Sequence, residues 1–233
     1  MRRRSPNVVG SEGLVPERIA KAERHDPERI IALLEPLVLE RRRDRLLHVI
    51  EQRLGSVTVL FDAPHDPHNG AAVVRTCEAF GVQTLHVVQR KETFLAASSV
   101  SKGAEKWVDV LTYDGPAGAL AAVRADSMEM VGAHPDGELA PEDLAGIPRL
   151  CLVLGNERDG ITADLAAACT RRVRVPMRGF IDSLNVSVTA AILLSHATKN
   201  RPGDLDAATR RRLFARGLYF SVPKADQVLA ESR

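Results

Sequence analysis

The sequence predicts an α/β fold with a mostly parallel sheet, and three observations predict it. From Val57 onward the apolar residues come in short runs of about strand length. Stretches with helical spacing separate these runs, the order expected of a sheet covered on both faces. The two ends of the chain differ from this middle, being helical in period and basic.

In chain order, Pro16 to Leu54 carries apolar residues at helical spacing (Ile30, Leu33, Leu34, Leu37, then Leu46, Leu47, Ile50, Leu54), with Asp26-Pro27 as a helix start and Gly55 as a stop. Six strand candidates follow: Val57–Phe61, Thr84–Val88, Trp107–Leu111, Met128–Gly132, Leu150–Leu154 and Arg172–Val175. A long helix is predicted from Leu184 to about Asn200, Pro202-Gly203 breaks it, and a basic helix covers about Leu205 to Gly217. The expected organisation is a helical basic extension over 1–54, an α/β domain over 55–200 and a second basic helical extension over 201–233.

A chain of 233 residues, 45% of them apolar, can bury roughly 70 to 75% of its unfolded surface without staples. Three cysteines (Cys77, Cys151, Cys169), far apart and in no CxxC spacing, argue against a disulfide framework or a zinc site and fit a reducing cytosol. No apolar run approaches the roughly 18 to 20 residues that span a bilayer. Arg2, Arg3 and Arg4 resemble the start of a transit peptide, but Glu12, Glu17 and Glu23 spoil its acid-poor signature. The expected location is therefore the cytoplasm. The net charge is +2, unevenly spread: residues 1–54 hold 12 basic and 9 acidic groups, residues 55–198 hold 12 and 17, and residues 199–233 hold 8 and 4. Basic ends around an acidic middle suggest a polyanionic partner, unless the runs Arg41-Arg42-Arg43 and Arg210-Arg211-Arg212 are merely solvated helix faces.

The first strand-to-helix turn, Phe61-Asp-Ala-Pro-His-Asp-Pro-His-Asn-Gly70, lacks the GxGxxG glycines and holds two prolines and two histidines. It cannot present the row of backbone N–H groups that wraps a pyrophosphate, which argues against NAD-type cofactors. His65, His68 and His134 show no metal-ligand spacing, so no metal is expected. Three polar clusters instead follow strands: Asn69-Gly-Ala-Ala-Val-Val-Arg75, Gly155-Asn156-Glu157-Arg-Asp-Gly160, and Val175-Pro-Met177 through Ser183-Leu184-Asn185. A fourth segment, Ser101-Lys102-Gly-Ala-Glu-Lys106-Trp107, lies between the first two. Taken singly, each has an ordinary structural explanation as a cap, a turn or a surface charge.

Together, over residues 57–200, these clusters resemble the motifs of the SPOUT superfamily, in its branch of tRNA and rRNA ribose 2'-O-methyltransferases. Ser101–Trp107 and the stretch 213–219 look most like the enzymes acting on guanosine 18 of tRNA. The resemblance implies a C-terminal deep trefoil knot, a homodimer and S-adenosylmethionine as cofactor. It places Asn69, Arg75, Glu157, Ser183 and Asn185 beside the target ribose, and the cofactor against Ala133, Gly155, Val175, Met177 and Leu184, mostly through backbone groups. A guanidinium is effectively always protonated. Arg75 is therefore expected to clamp an RNA phosphate and stabilise a developing alkoxide, while water or another base takes the proton. Lys102, Lys106, Arg210, Arg211 and Arg212 are the candidate tRNA contacts. The rival readings are the same chemistry on rRNA or another tRNA position, and a knotted RNA-binding protein without catalysis.

Overall fold

A computed structural model describes residues 14–89, 103–156 and 158–231. Two helices open it, α1 (Leu14–Ala22) and α2 (Pro27–Leu34); a short 3-10 turn leads to α3 (Glu40–Glu51). Asp26 starts α2 as the sequence predicts, its carboxylate accepting from the Glu28 N–H at 3.3 Å with Pro27 in the first turn. Strands and helices then alternate: β1 (Leu54–Asp62), α4 (Pro67–Ala79), β2 (Val82–Val88), β3 (Asp109–Tyr113), α5 (Pro116–Ala125), β4 (Glu129–Ala133), β5 (Leu150–Leu154), α6 (Ala163–Ala168) and β6 (Arg171–Val173). The chain closes with α7 (Val186–Ala197), α8 (Ala207–Ser221) and α9 (Ala225–Glu231).

The six strands form one sheet in the order β3-β2-β1-β5-β4-β6, every pairing parallel. Strand side chains alternate between two cores. Val57, Val59, Phe61, Leu150, Leu152 and Leu154 pack with Val73, Val74 and Cys77 of α4 and with Leu193 and Leu194 of α7. Leu60, Cys151 and Val153 face Ala119 and Val123 of α5 and Leu165 of α6 on the opposite side. Burial on both faces is what removes the polar alternation from these strands in the sequence. The order reverses between β1 and β5, the switch point where parallel sheets leave a crevice at their carboxyl ends.

The two ends of the chain, read as separate extensions, share a single core: Ile30, Ile31 and Leu34 of α2 and Leu46 and Ile50 of α3 pack with Leu213, Phe214 and Leu218 of α8 and Leu229 of α9. Gly55, expected to stop a helix, lies within β1. The reason is distant in sequence: the Asp204 carboxylate accepts from the N–H groups of Gly55 (2.5 Å) and Ser56 (3.2 Å) and fixes the start of the strand. Among the described residues no helix is long and apolar enough to cross a membrane.

Candidate active site

The first and third sequence clusters meet at the carboxyl ends. Asn185 Nδ2 donates to Asn69 Oδ1 at 3.0 Å, joining residues 116 apart in sequence. Asn185 also caps α7: its Oδ1 accepts from the Ser187 N–H at 2.8 Å and the Ser187 hydroxyl at 2.6 Å. Capping and site geometry are therefore one arrangement, because the cap fixes the side chain whose amide then reaches Asn69. The cap of α4 is Asp66, accepting from the His68 N–H at 2.8 Å, with Pro67 at the first helical position. That leaves Asn69 inside the first turn of α4, buried against the sheet, where it does not serve as the N-cap. Arg75 projects from the same helix into solvent and, among the described residues, has no ion-pair partner.

The second cluster is a tight loop after β5. Asn156 and Gly160 exchange two backbone bonds (3.1 and 3.2 Å), and Asn156 Oδ1 accepts from the N–H groups of Arg158 (2.8 Å) and Asp159 (2.7 Å). Gly160 has φ of +70°, a conformation that glycine adopts without strain. Gly155 is required for a related reason: a Cβ there would overlap the Gly160 carbonyl carbon and stand 2.5 Å from the Ile161 nitrogen. This glycine makes room first for its own loop. Glu157 lies outside the described residues, as does Lys102. The amides of this loop are bonded by Asn156.

Asp62, which the sequence reading passed over, ends β1 almost fully buried and accepts from the Thr162 N–H at 2.7 Å. It ties the loop after β5 to β1 across the switch point. The available signal was a carboxylate closing an otherwise apolar strand. Thr162 Oγ1 is buried there without a hydrogen-bond partner.

On the far side of β5, the loop after β4 is laced to β6. His134 N–H donates to Val173 O (2.9 Å), Leu139 N–H to Arg172 O (3.0 Å), and Arg174 N–H to Leu139 O (3.1 Å). Ala133 ends β4, Val175 packs half-buried against the main core, and Leu184 is half-buried before α7. The run between them is open: Ser183 is exposed, Met177 retains 36% of its accessible surface, Ile181 61% and Phe180 all of it. Among the described residues no group of three or more His, Cys, Asp or Glu side chains could hold a metal ion.

The candidate RNA contacts separate. Arg210 of α8 is exposed, whereas Arg211 is engaged with Glu28, its Nε donating at 2.6 Å. Arg212 points inward, 2.6 Å from Asp109 and 3.3 Å from Glu23, because α8 packs this side on the amino end of β3. Arg216, one turn on and buried, reaches the same two carboxylates at 2.9 and 2.5 Å. Burial alone would raise the Asp109 carboxyl, but the Arg216 charge and the Arg212 hydrogen bond outweigh it and hold the pKa at about 2. Gln83 extends the network, accepting from Arg53 and donating to Asp109 at 3.1 Å.

A parallel sheet with an asparagine pair and an exposed arginine without an ion-pair partner at its carboxyl ends defines a class of α/β protein whose ligand crevice can receive an anion. The chain belongs to the SpoU rRNA methylase family, whose model matches residues 56–195, and is a methyltransferase. It is 30% identical over 161 residues, 69% of this chain and 70% of the relative, to the tRNA (guanosine(18)-2'-O)-methyltransferase of Escherichia coli. It is also 30% identical to the protein of that name from Aquifex aeolicus, over 72% of this chain and 81% of that one. Among solved structures, the A. aeolicus TrmH/SpoU tRNA modifying enzyme superposes with a TM-score of 0.69 at 27% identity, covering 79% of this chain and 98% of its own. The SpoU methyltransferase AviRb of Streptomyces viridochromogenes, solved with AdoMet, matches with a TM-score of 0.57 at 25% identity over 64% of this chain and 58% of that one.

Proposed function

We propose that this chain transfers a methyl group from S-adenosylmethionine to the ribose 2'-hydroxyl of guanosine 18 in the D loop of tRNA. The observation that carries the reading is the Asn69–Asn185 hydrogen bond, which joins the first and third motifs beside the helix bearing the exposed, unpaired Arg75. The guanosine assignment follows relatives of that name covering about 70% of the chain. The residues fit the cofactor. Ala133, Gly155, Val175, Met177 and Leu184 offer backbone groups and apolar surface, and Thr162 Oγ1 is an unpartnered hydroxyl beside the loop that contains Gly155. Two copies pair as a homodimer, and the segment leading into α7 is threaded as a trefoil knot. The reaction takes place in the cytoplasm.

S-adenosylmethionine supplies the electrophilic methyl when bound. The protein's part is alignment, which can contribute roughly 7 to 11 kcal/mol. Asn185, immobilised by its capping bonds, and Asn69, buried in the first turn of α4, orient the ribose, with Ser183 and Glu157 assisting. Arg75 binds the phosphate of the target nucleotide and stabilises negative charge developing on the 2'-oxygen; the proton leaves to water. Full-length protein given S-adenosylmethionine and a tRNA transcript should form a single 2'-O-methylguanosine at position 18, and none when that nucleotide carries 2'-deoxyribose. Methylation at another position, or of ribosomal RNA in preference, would overturn the assignment.

A further inference from the structure

Away from the carboxyl ends, three cations gather on two partly exposed aromatic rings. Arg18 of α1 stands over Phe220 of α8, 4.8 Å from the ring centroid, and Lys106 Nζ lies 5.7 Å from the same ring. Arg42 of α3 is 5.9 Å from the Trp107 ring, which is tilted 58° to Phe220 at 6.3 Å. Four segments far apart in sequence thus build one surface. Among the described residues none of these three cations pairs with a carboxylate. Their neighbours do: Arg43 pairs with Asp44, and Arg211 with Glu28. Cation–π attraction offsets part of the mutual repulsion and leaves the positive charge uncompensated. Trp107 precedes β3 at its amino end, so this surface lies roughly 17 Å, a strand's length, from the carboxyl-end site.

Excess positive charge interleaved with aromatic faces suits an unpaired stretch of RNA. A guanidinium plane or an aromatic ring accepts a base of any sequence, and adjacent cations take the phosphates. We propose that this junction is a second RNA contact, where an unpaired nucleotide of the tRNA, distinct from the methylated one, stacks on the Arg18–Phe220 pair while Arg42 and Lys106 neutralise flanking phosphates. The proposal rests on tRNA being the substrate. A duplex would present phosphates without an open base face, and an acidic protein segment would present charge without stacking.

Trp107 is the only tryptophan in the chain, so its fluorescence reports directly on this surface. Titration of the full-length protein with unmodified tRNA should quench it with the same midpoint as filter binding, and a single-stranded oligonucleotide should compete better than a duplex of equal charge. The double variant Arg42→Gln/Lys106→Gln, at an exposed and a half-buried position, should reduce the log–log salt slope of tRNA binding by about 1.4 to 1.8, two phosphate contacts. Phe220→Leu should weaken tRNA binding about tenfold with the slope unchanged. Both variants should keep the parent's affinity for S-adenosylmethionine. If Phe220→Leu fails to fold, the double variant and the parent's fluorescence decide. Silent Trp107 fluorescence while tRNA binds, or a double variant with the parent's affinity and slope, would overturn the surface and leave the rings as packing between helices. Methylation of tRNA with a silent Trp107 rejects this surface alone. A responsive Trp107 without 2'-O-methylguanosine 18 rejects the enzymatic assignment alone.

Discussion

At the amino ends of β1 to β3, polar groups close on one another: Arg53 reaches Gln83, Gln83 reaches Asp109, and Asp109 with Glu23 holds Arg212 and Arg216. At the carboxyl ends of the same sheet, Asn69 and Asn185 meet each other, while Arg75 stands exposed and Ser183 faces solvent. Arginines serve at both ends and are used oppositely. Arg212 and Arg216 of α8 are committed to internal carboxylates and fasten the terminal helices to the sheet; Arg75 on α4 is left available to an anion from outside. A cation satisfied within the fold has little left for a ligand, so ion-pair status separates structural arginines from functional ones where residue type does not.

Two substitutions test that contrast at its strongest. Asp109→Asn keeps the shape but leaves Glu23 as the one carboxylate facing both the buried Arg216 and Arg212, and should cost about 3 kcal/mol of folding stability in urea titration. Arg75→Ala should leave stability and cofactor affinity unchanged yet lower kcat by about 10²- to 10⁴-fold, roughly 3 to 5 kcal/mol of transition-state stabilisation. The contrast fails if Arg75→Ala lowers the denaturation midpoint as Asp109→Asn does, or if its turnover stays within about threefold of the parent.

Acid should expose the same difference more mildly. The folded pKa of Asp109, about 2, lies below its ordinary value of 3.8, so its contribution is present above that ordinary value and is lost as pH falls towards 2. The size is roughly 2 kcal/mol. Burial lowers the pKa of His86 from 6.5 to about 4, against a smaller opposing effect of Asp126, so its share disappears earlier, between those two values. Denaturation midpoints measured from pH 7 to 2.5 should therefore fall in two limbs, and His86→Gln should remove only the upper one. A lower limb unchanged by Asp109→Asn would show that the amino-end network does not govern acid stability.

What was legible in the sequence, and what was not, follows the range of the interactions. Leu150–Leu154 is a strand as read, since burial on both faces writes itself locally as an apolar run. All six strand candidates are present within a few residues. The ends blur where a distant group intervenes, as Asp204 does at Gly55. Asn69 resembled a helix cap because the Asp66-Pro67 pair that fills that role is three residues earlier. Asn156 and Asp62 hold loops through bonds to backbone amides; Asp62 is marked only as a carboxylate closing an apolar strand, and nothing in spacing or composition marks Asn156 as such an acceptor. The shared core of the two chain ends is carried by pairings as remote as Arg29 Nη2 to Leu229 O, 200 residues apart, which periodicity cannot register.

The smallest expected effect concerns the three consecutive arginines of α8, whose roles the structure separates. Arg210 is exposed, and in our reading it neutralises a single tRNA phosphate. Arg210→Ala should therefore reduce the log–log salt slope of tRNA binding by about 0.7 to 0.9 and leave folding stability within about 0.5 kcal/mol of the parent. Arg212→Ala should do the reverse, because its guanidinium lies 2.6 Å from the buried Asp109 carboxylate and removing it weakens the amino-end network without removing a phosphate contact. Arg211 should fall between them, since its pairing with exposed Glu28 is a surface ion pair that an RNA phosphate can displace. Paired measurements of salt slope and urea midpoint on the three single variants would resolve this order. If Arg212→Ala flattened the salt dependence as much as Arg210→Ala, the inward arginine would be reaching the RNA, and internal ion pairing would not separate structural from binding arginines in this helix.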